Sequence, residues 1–308
     1  MIYKVLFKVI FVVAFFSFNL VCSQSSLFSE DLKSQRIWVD SVYSNMTLEE
    51  KIGQLFMIDV FTNKTDKELS DIEDFIKSNN IGGVIFSKGS PQRQARLTNS
   101  IQTKNKVPLL IGMDAEWGLA MRLDSTYAFP WNMTLGAIQD TSIVRKVGYQ
   151  IGKHNKRIGV HINFAPVADI NTNPENPIIG NRSFGESKEI VTSHAIAIMK
   201  GMHDAEILTS AKHFPGHGDT QQDSHKTLPT IRFSEKRIKN IELQPFKALI
   251  SEGVSSVMVA HLTVPSLESK TNLPSSLSPK IVSGLLKDEL GFKGLVITDA
   301  LNMKGASN

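Results

Sequence analysis

The chain has 308 residues, 41% hydrophobic and 21% charged, with a net charge of +4. This length suits one large α/β barrel or two ordinary domains, and the composition is that of a globular chain rather than a disordered one. So small a net charge on so long a chain is not a nucleic-acid-binding footprint.

The N-terminal stretch "MIYKVLFKVIFVVAFFSFNLVCSQ" places Lys4 and Lys8 ahead of an apolar run from Val9 to Phe18. This is the pattern of a secretory signal peptide, and the run is shorter than the roughly 20 residues a membrane span needs. Cleavage after Ser23 is expected, so residues 1–23 read as signal and 24–308 as the mature domain, exported to the periplasm or outside the cell. A lipoprotein reading through Cys22 is weaker, because Val21 is bulky where lipid attachment prefers a small residue. Cys22 is the only cysteine, so a chain cleaved there carries no disulfide and no thiolate metal site.

Thr47 and Glu50 in "TLEEKIGQLFMID" form a capping box that opens a helix. Seven short apolar runs follow, separated by helical stretches: "QLFMID", "IGGVIF", "PLLIGMD", "GVHINFAPVAD", "EILTSAKHF", "SSVMVAHL" and "GLVITDA". Ser234 predicts a helix with Ile238, Ile241, Phe246, Leu249 and Ile250 inward, ending at Gly253. Ser278 and Pro279 start another, stopped by Gly291. Continuous apolar strands joined by helices imply a parallel sheet buried on both faces. Asp59, Asp114, Asp169, His213, His261 and Asp299 sit at or just past the ends of these runs. Polar groups at many strand tips favour a TIM-type (β/α)8 barrel over a doubly wound sheet, whose chemistry gathers at one glycine-rich switch point. With seven strands counted, the expectation is a barrel truncated after strand seven, with two unpaired edges.

The densest polar cluster, "AKHFPGHGDTQQDSHKTLP", follows the fifth run and holds His213, His217, Asp219, Asp223 and His225. Its glycines and proline make it a loop. Three readings fit these residue types: a His–Asp dyad for proton transfer near neutral pH, a metal site completed by ligands from other strand tips, and a solvated loop.

"KHFPGHGDTQQDSH" resembles the signature loop of the β-N-acetylglucosaminidase branch of glycoside hydrolase family 3. "MTLEEKIGQL", "IGMDAEWGLAMRL", "NFAPVADI", "NRSFG" and "GLVITDALNM" extend the likeness along nearly the whole mature chain. The resemblance implies a retaining glycosidase with Asp299 as nucleophile, His225 as acid/base and Asp223 as its partner. It also implies that Lys212, His213, Asp114, Arg122 and Arg182 bind a terminal N-acetylglucosamine, with no cofactor or metal. The substrate class would be peptidoglycan or chitin-like fragments, with no nucleic acid partner and no lasting membrane insertion. The glucosidase branches lack this loop. Ala115 and Trp117 depart from many relatives and bear on the aglycone side.

Other residues read as structural. Asp169 orients neighbouring loops, His217 and Asp219 shape the polar loop, and His261 either lines the site or packs behind it. For Arg122 and Arg182 the alternative to sugar binding is an ion pair at the barrel rim. Asn45, Asn132 and Asn181 fit the glycosylation pattern. The rival functions are a metal-dependent barrel hydrolase and a non-catalytic sugar-binding module.

Overall fold

Residues 32–220 and 227–306 of the computed structural model are described here. The chain divides into Met1–Asn45 and Met46–Asn308. Among the described residues the first unit holds α1 (Leu32–Ser44).

The second unit carries the sheet. It opens with α2 (Leu48–Gly53), where the predicted box forms: Glu50 N–H donates to Thr47 Oγ1, and Glu50 Oε2 accepts from Thr47 N–H. Then come β1 (Met57–Phe61), α3 (Asp66–Ser78), β2 (Gly83–Lys88), α4 (Pro91–Lys104) and β3 (Leu110–Met113). Next are α5 (Asn132–Gly136), α6 (Thr141–Arg157), β4 (Ile162–Asn163), α7 (Lys188–Asp204) and β5 (Leu208–Phe214). α8 (Glu235–Asn240), α9 (Gln244–Ser251), β6 (Ser256–Val259), a π-helical stretch Lys280–Glu289 and β7 (Leu295–Thr298) complete it.

The seven strands are all parallel and pair in chain order. The sheet is curled. Met57, Ile85, Leu110, Ile162, Leu208, Met258 and Ile297, one from each strand, meet in a single apolar cluster with Phe164. A flat sheet could not bring first and last strands to one cluster; a curl encloses it, as a barrel interior is packed. Outside the curl, Val84, Phe86, Ile111 and Met113 pack with Ile76 and Ile101 of the helices, and Val257 and Val259 with Phe246 and Leu249. Burial on both faces explains the unbroken apolar runs.

Three expectations need correction. The helix expected from Ser234 to Gly253 breaks at Ile241–Leu243. Pro245 has no N–H for the Ile241 carbonyl, which accepts from Gln244 instead. The long fourth run forms a ladder only at Ile162–Asn163. Pro166 interrupts pairing, and Val167 rejoins as an isolated bridge beside Lys212, where Ala168 N–H donates to the Lys212 carbonyl. This irregular exit carries Asp169 to the end of β5. Lastly, Asn132 is 3% exposed and its Nδ2 donates to the Arg182 carbonyl at 2.7 Å, so this sequon faces inward rather than toward a glycan.

Candidate active site

The strand ends on one rim supply the polar groups. Asp114 follows β3 directly, and Glu116 lies two residues further on. Lys212 and His213 occupy the end of β5, and Arg182 sits on the short turn Gly180–Arg182 ahead of α7. Lys212 is 1% exposed and Glu116 is 1% exposed, so two opposite charges are withdrawn from water together.

Their geometry accounts for that burial. Lys212 Nζ lies 2.7 Å from Asp114 Oδ1 and 2.7 Å from Glu116 Oε1. Arg122 Nη2 donates to Asp114 Oδ2 at 2.7 Å. Arg182 grips Glu116 with two bonds, Nε to Oε2 at 3.0 Å and Nη2 to Oε1 at 2.7 Å. Bidentate arginine–carboxylate pairs of this kind are strong and directional. Burial opposes charge on Asp114, yet Lys212 and Arg122 outweigh it and hold the carboxyl below its usual range. Glu116 follows the same logic through Lys212 and Arg182.

Asp169 organises the neighbouring corner. Its carboxylate accepts from His213 Nδ1 at 2.6 Å and from the His217 backbone N–H at 2.7 Å. Burial again opposes its charge, and His213 and His217 outweigh it, so its carboxyl is held low. His213 Nε2 lies 3.2 Å from Arg182 Nη2. An arginine can only donate, so Nε2 accepts and Nδ1–H faces Asp169. The His217 imidazole is pushed down to about 4, chiefly by burial and then by His213, against the pull of Asp169 and Asp299.

The loop of the sequence motif leaves β5 along this corner. Gly216 has φ +127°, a conformation that favours glycine, and a Cβ on Gly218 would stand 1.9 Å from the Ile170 carbonyl. Asn176 Nδ2 donates to the His217 carbonyl, and Thr172 Oγ1 donates to Asp219 Oδ1, both tying the loop to the segment after Asp169. Asp223 and His225 lie outside the described residues. Beyond them the chain pairs again at Thr230 and Thr263.

Asp299 stands one residue past β7. Its backbone N–H donates to the Val259 carbonyl, and its Oδ1 accepts from Ala300 N–H at 2.8 Å. Behind it, buried His261 donates from Nε2 to the Ala300 carbonyl at 3.1 Å and accepts on Nδ1 from Ser276. His261 therefore packs behind the strand end. Asp59 lies inside β1, hydrogen-bonded with Ser87 and close to Arg122 and Asp114.

Asp114, Arg122, Arg182, Lys212 and His213 are thus brought together, with Asp299 near enough to act on His217. Glu116 was missed by sequence reasoning. Its side chain is turned inward by the tight turn after β3, where Gly118 N–H donates to the Ala115 carbonyl, and no periodic pattern marks it. Among the described residues no group of three or more His, Cys, Asp or Glu is placed to hold a metal ion.

A curled parallel α/β sheet with its charged groups on one strand-end rim defines a barrel-type enzyme scaffold. Residues 47–308 match the model of the glycosyl hydrolase family 3 N-terminal domain, and the chain belongs to that family. It is 33% identical over 299 residues to beta-hexosaminidase A of Pseudoalteromonas piscicida, covering 85% of this chain and 50% of that protein. It is 34% identical over 238 residues to a beta-hexosaminidase of Nitrosomonas eutropha, covering 74% and 67%. Among solved structures, a family 3 beta-N-acetylglucosaminidase from Paenibacillus sp. aligns with a TM-score of 0.79 at 38% identity, over 85% of this chain and 51% of that one. The chain spans about half the length of the first and third of these proteins.

Proposed function

We propose that the chain is the catalytic barrel of a retaining exo-glycosidase that removes terminal β-linked N-acetylglucosamine. The reading is carried by Asp114. It is a carboxylate already bonded by Lys212 and Arg122, yet its side chain keeps 16% of its surface open. Such a group accepts sugar hydroxyls while its neighbours donate to them, and buried polar contacts of this kind select one sugar configuration. Arg122 Nε, buried and without a partner among the described residues, is a further donor that a ligand oxygen would satisfy.

In the proposed reaction the Asp299 carboxylate attacks C1 of the sugar, and the bond from C1 to the leaving oxygen breaks. His225, oriented by Asp223, gives that oxygen its proton. His225 then takes a proton from water, whose oxygen attacks C1 and releases Asp299 as the free carboxylate. Two of the relatives above are named beta-hexosaminidases and the third a beta-N-acetylglucosaminidase, which favours N-acetylglucosamine over glucose in the site. The fold reading is a TIM-type (β/α)8 barrel of which this chain supplies the first seven strands, supported by the interior layer to which all seven contribute. Export after removal of residues 1–23, and peptidoglycan or chitin-like fragments as substrates, complete the proposal.

The test is trapping with a slow fluorinated N-acetylglucosaminide mimic followed by peptide mapping. A label on Asp299 is expected; a label elsewhere, or none during turnover, overturns the assignment.

A further inference from the structure

We propose that Glu116 is a positioning residue of the sugar site: a carboxylate that does not touch substrate but places Lys212 and Arg182, the cations that do. The inference rests on the reading of Asp114, Lys212 and Arg182 as the sugar-recognising set.

The side chain of Glu116 is fully buried, whereas that of Asp114 is 16% exposed. Of these two acids, only Asp114 presents surface to a ligand. Glu116 nevertheless accepts three charged contacts, one from Lys212 and two from Arg182. It therefore holds Lys212 together with Asp114, each at 2.7 Å from the ammonium. Two of the three ammonium hydrogens are committed to carboxylates, and the third is available to a sugar hydroxyl only at the 2% of the side chain that stays open. It also fixes the plane of the Arg182 guanidinium, which is pinned from its third nitrogen by the Ile178 carbonyl at 3.1 Å.

The effect reaches His213. Arg182 donates to Nε2 of His213 while Asp169 receives its Nδ1–H, so Glu116 reaches the His213 tautomer through Arg182. Charge points the same way. Glu116 is one of two carboxylates paired with Lys212, and it is the carboxylate paired with Arg182. Without the Glu116 charge, Lys212 has only Asp114 as an anionic partner. It then draws on the acceptor that a sugar hydroxyl needs, and an unbalanced buried cation remains.

Among the described residues, no hydrogen bond or ion pair joins Glu116 to Asp299 or its strand. Its loss should therefore weaken recognition of the sugar more than the chemistry at C1. A purely structural residue would instead lower the folded fraction, cutting apparent kcat with KM unchanged.

The experiment uses the full chain with Glu116→Gln and Glu116→Asp. KM and kcat are measured on an activated aryl N-acetyl-β-glucosaminide, with calorimetric Kd for free N-acetylglucosamine and melting curves alongside. For E116Q we expect KM and Kd to rise about 10- to 100-fold, the range of a lost charge-assisted contact, with kcat within about threefold. E116D keeps the charge but is one methylene short, and should show a smaller rise in both. A folded E116Q with unchanged KM and Kd, or a loss in kcat alone, overturns the proposal. If E116Q does not fold, E116D decides by the same measurements. If the wild type turns over no glycoside, the glycosidase reading fails and the Kd comparison alone judges Glu116. If the wild type does not bind N-acetylglucosamine either, both fall.

Discussion

Nδ1 of His213 donates to Oδ2 of Asp169 at 2.6 Å, and the same carboxylate receives the His217 backbone N–H at 2.7 Å. One buried acid thus orients a proposed sugar-binding histidine and the first turn of the motif loop together. Asp169→Asn removes the charge and turns one acceptor into a donor facing N–H groups. It should cost about 3 kcal/mol in urea unfolding, because buried donors are left unpaired. A loss below about 0.5 kcal/mol would show that the carboxylate is not the organising group.

Acid should destabilise the fold in two stages. His203 and His217 are both pushed down to about 4 from 6.5, His203 mainly by burial and His217 by burial and His213. The unfolded state binds these protons first, so their contribution is complete above pH 6.5 and is lost as pH falls toward 4. The slope there reaches at most about 2.7 kcal/mol per pH unit for two protons. Asp114 and Asp169, held low in the fold, contribute above their unfolded range near pH ~3.9 and lose that contribution below it. Denaturation at stepped pH with His203→Gln should show about half the slope between pH 6.5 and 4; an unchanged slope would contradict the assignment.

Gly218→Ala should harm activity more than any surface alanine. Its Cβ would meet the Ile170 carbonyl at 1.9 Å, so the loop must shift just where it leads toward Asp223 and His225. We expect a fall in kcat/KM of at least about tenfold, more than the melting temperature alone predicts. Wild-type kinetics would show that the loop tolerates the shift.

Lys212→Met should reduce discrimination between an N-acetylglucosaminide and other pyranosides. It removes the cation that bridges Asp114 and Glu116 at 2.7 Å each. A rise in KM of about 100-fold or more is expected, with part of the loss coming from the two carboxylates left facing each other. Hydrolysis by the wild type in excess chelator, compared with untreated enzyme, separates this account from the metal-dependent rival: full activity opposes that rival and complete loss supports it.

His225→Ala should lose most kcat/KM on glycosides with poor leaving groups, which need protonation. Activated aryl glycosides should still form the intermediate and then hydrolyse slowly. Asp223→Asn should give a milder version. An equal loss across a leaving-group series would remove His225 from the acid role.

The sequence by itself determined the alternation of strands and helices, the parallel sheet and several of the charged groups that meet at the strand ends, Asp114, Arg122, Arg182, Lys212 and His213. Those features depend on local chemistry. Capping boxes form within one turn, apolar runs mark strands buried on both faces, and the motif loop is contiguous in the chain. Pro245 marks the break in the helix after β5, but the apolar spacing around it is that of one continuous helix. The tertiary structure decided what depends on residues distant in sequence. Lys212 meets Asp114 across 98 positions and Arg182 meets Glu116 across 66, so no local pattern announces either pair. Glu116 looked like one more loop acid until the fold withdrew it from water. Burial makes its charge too expensive to stand alone, and so makes it the partner of two cations.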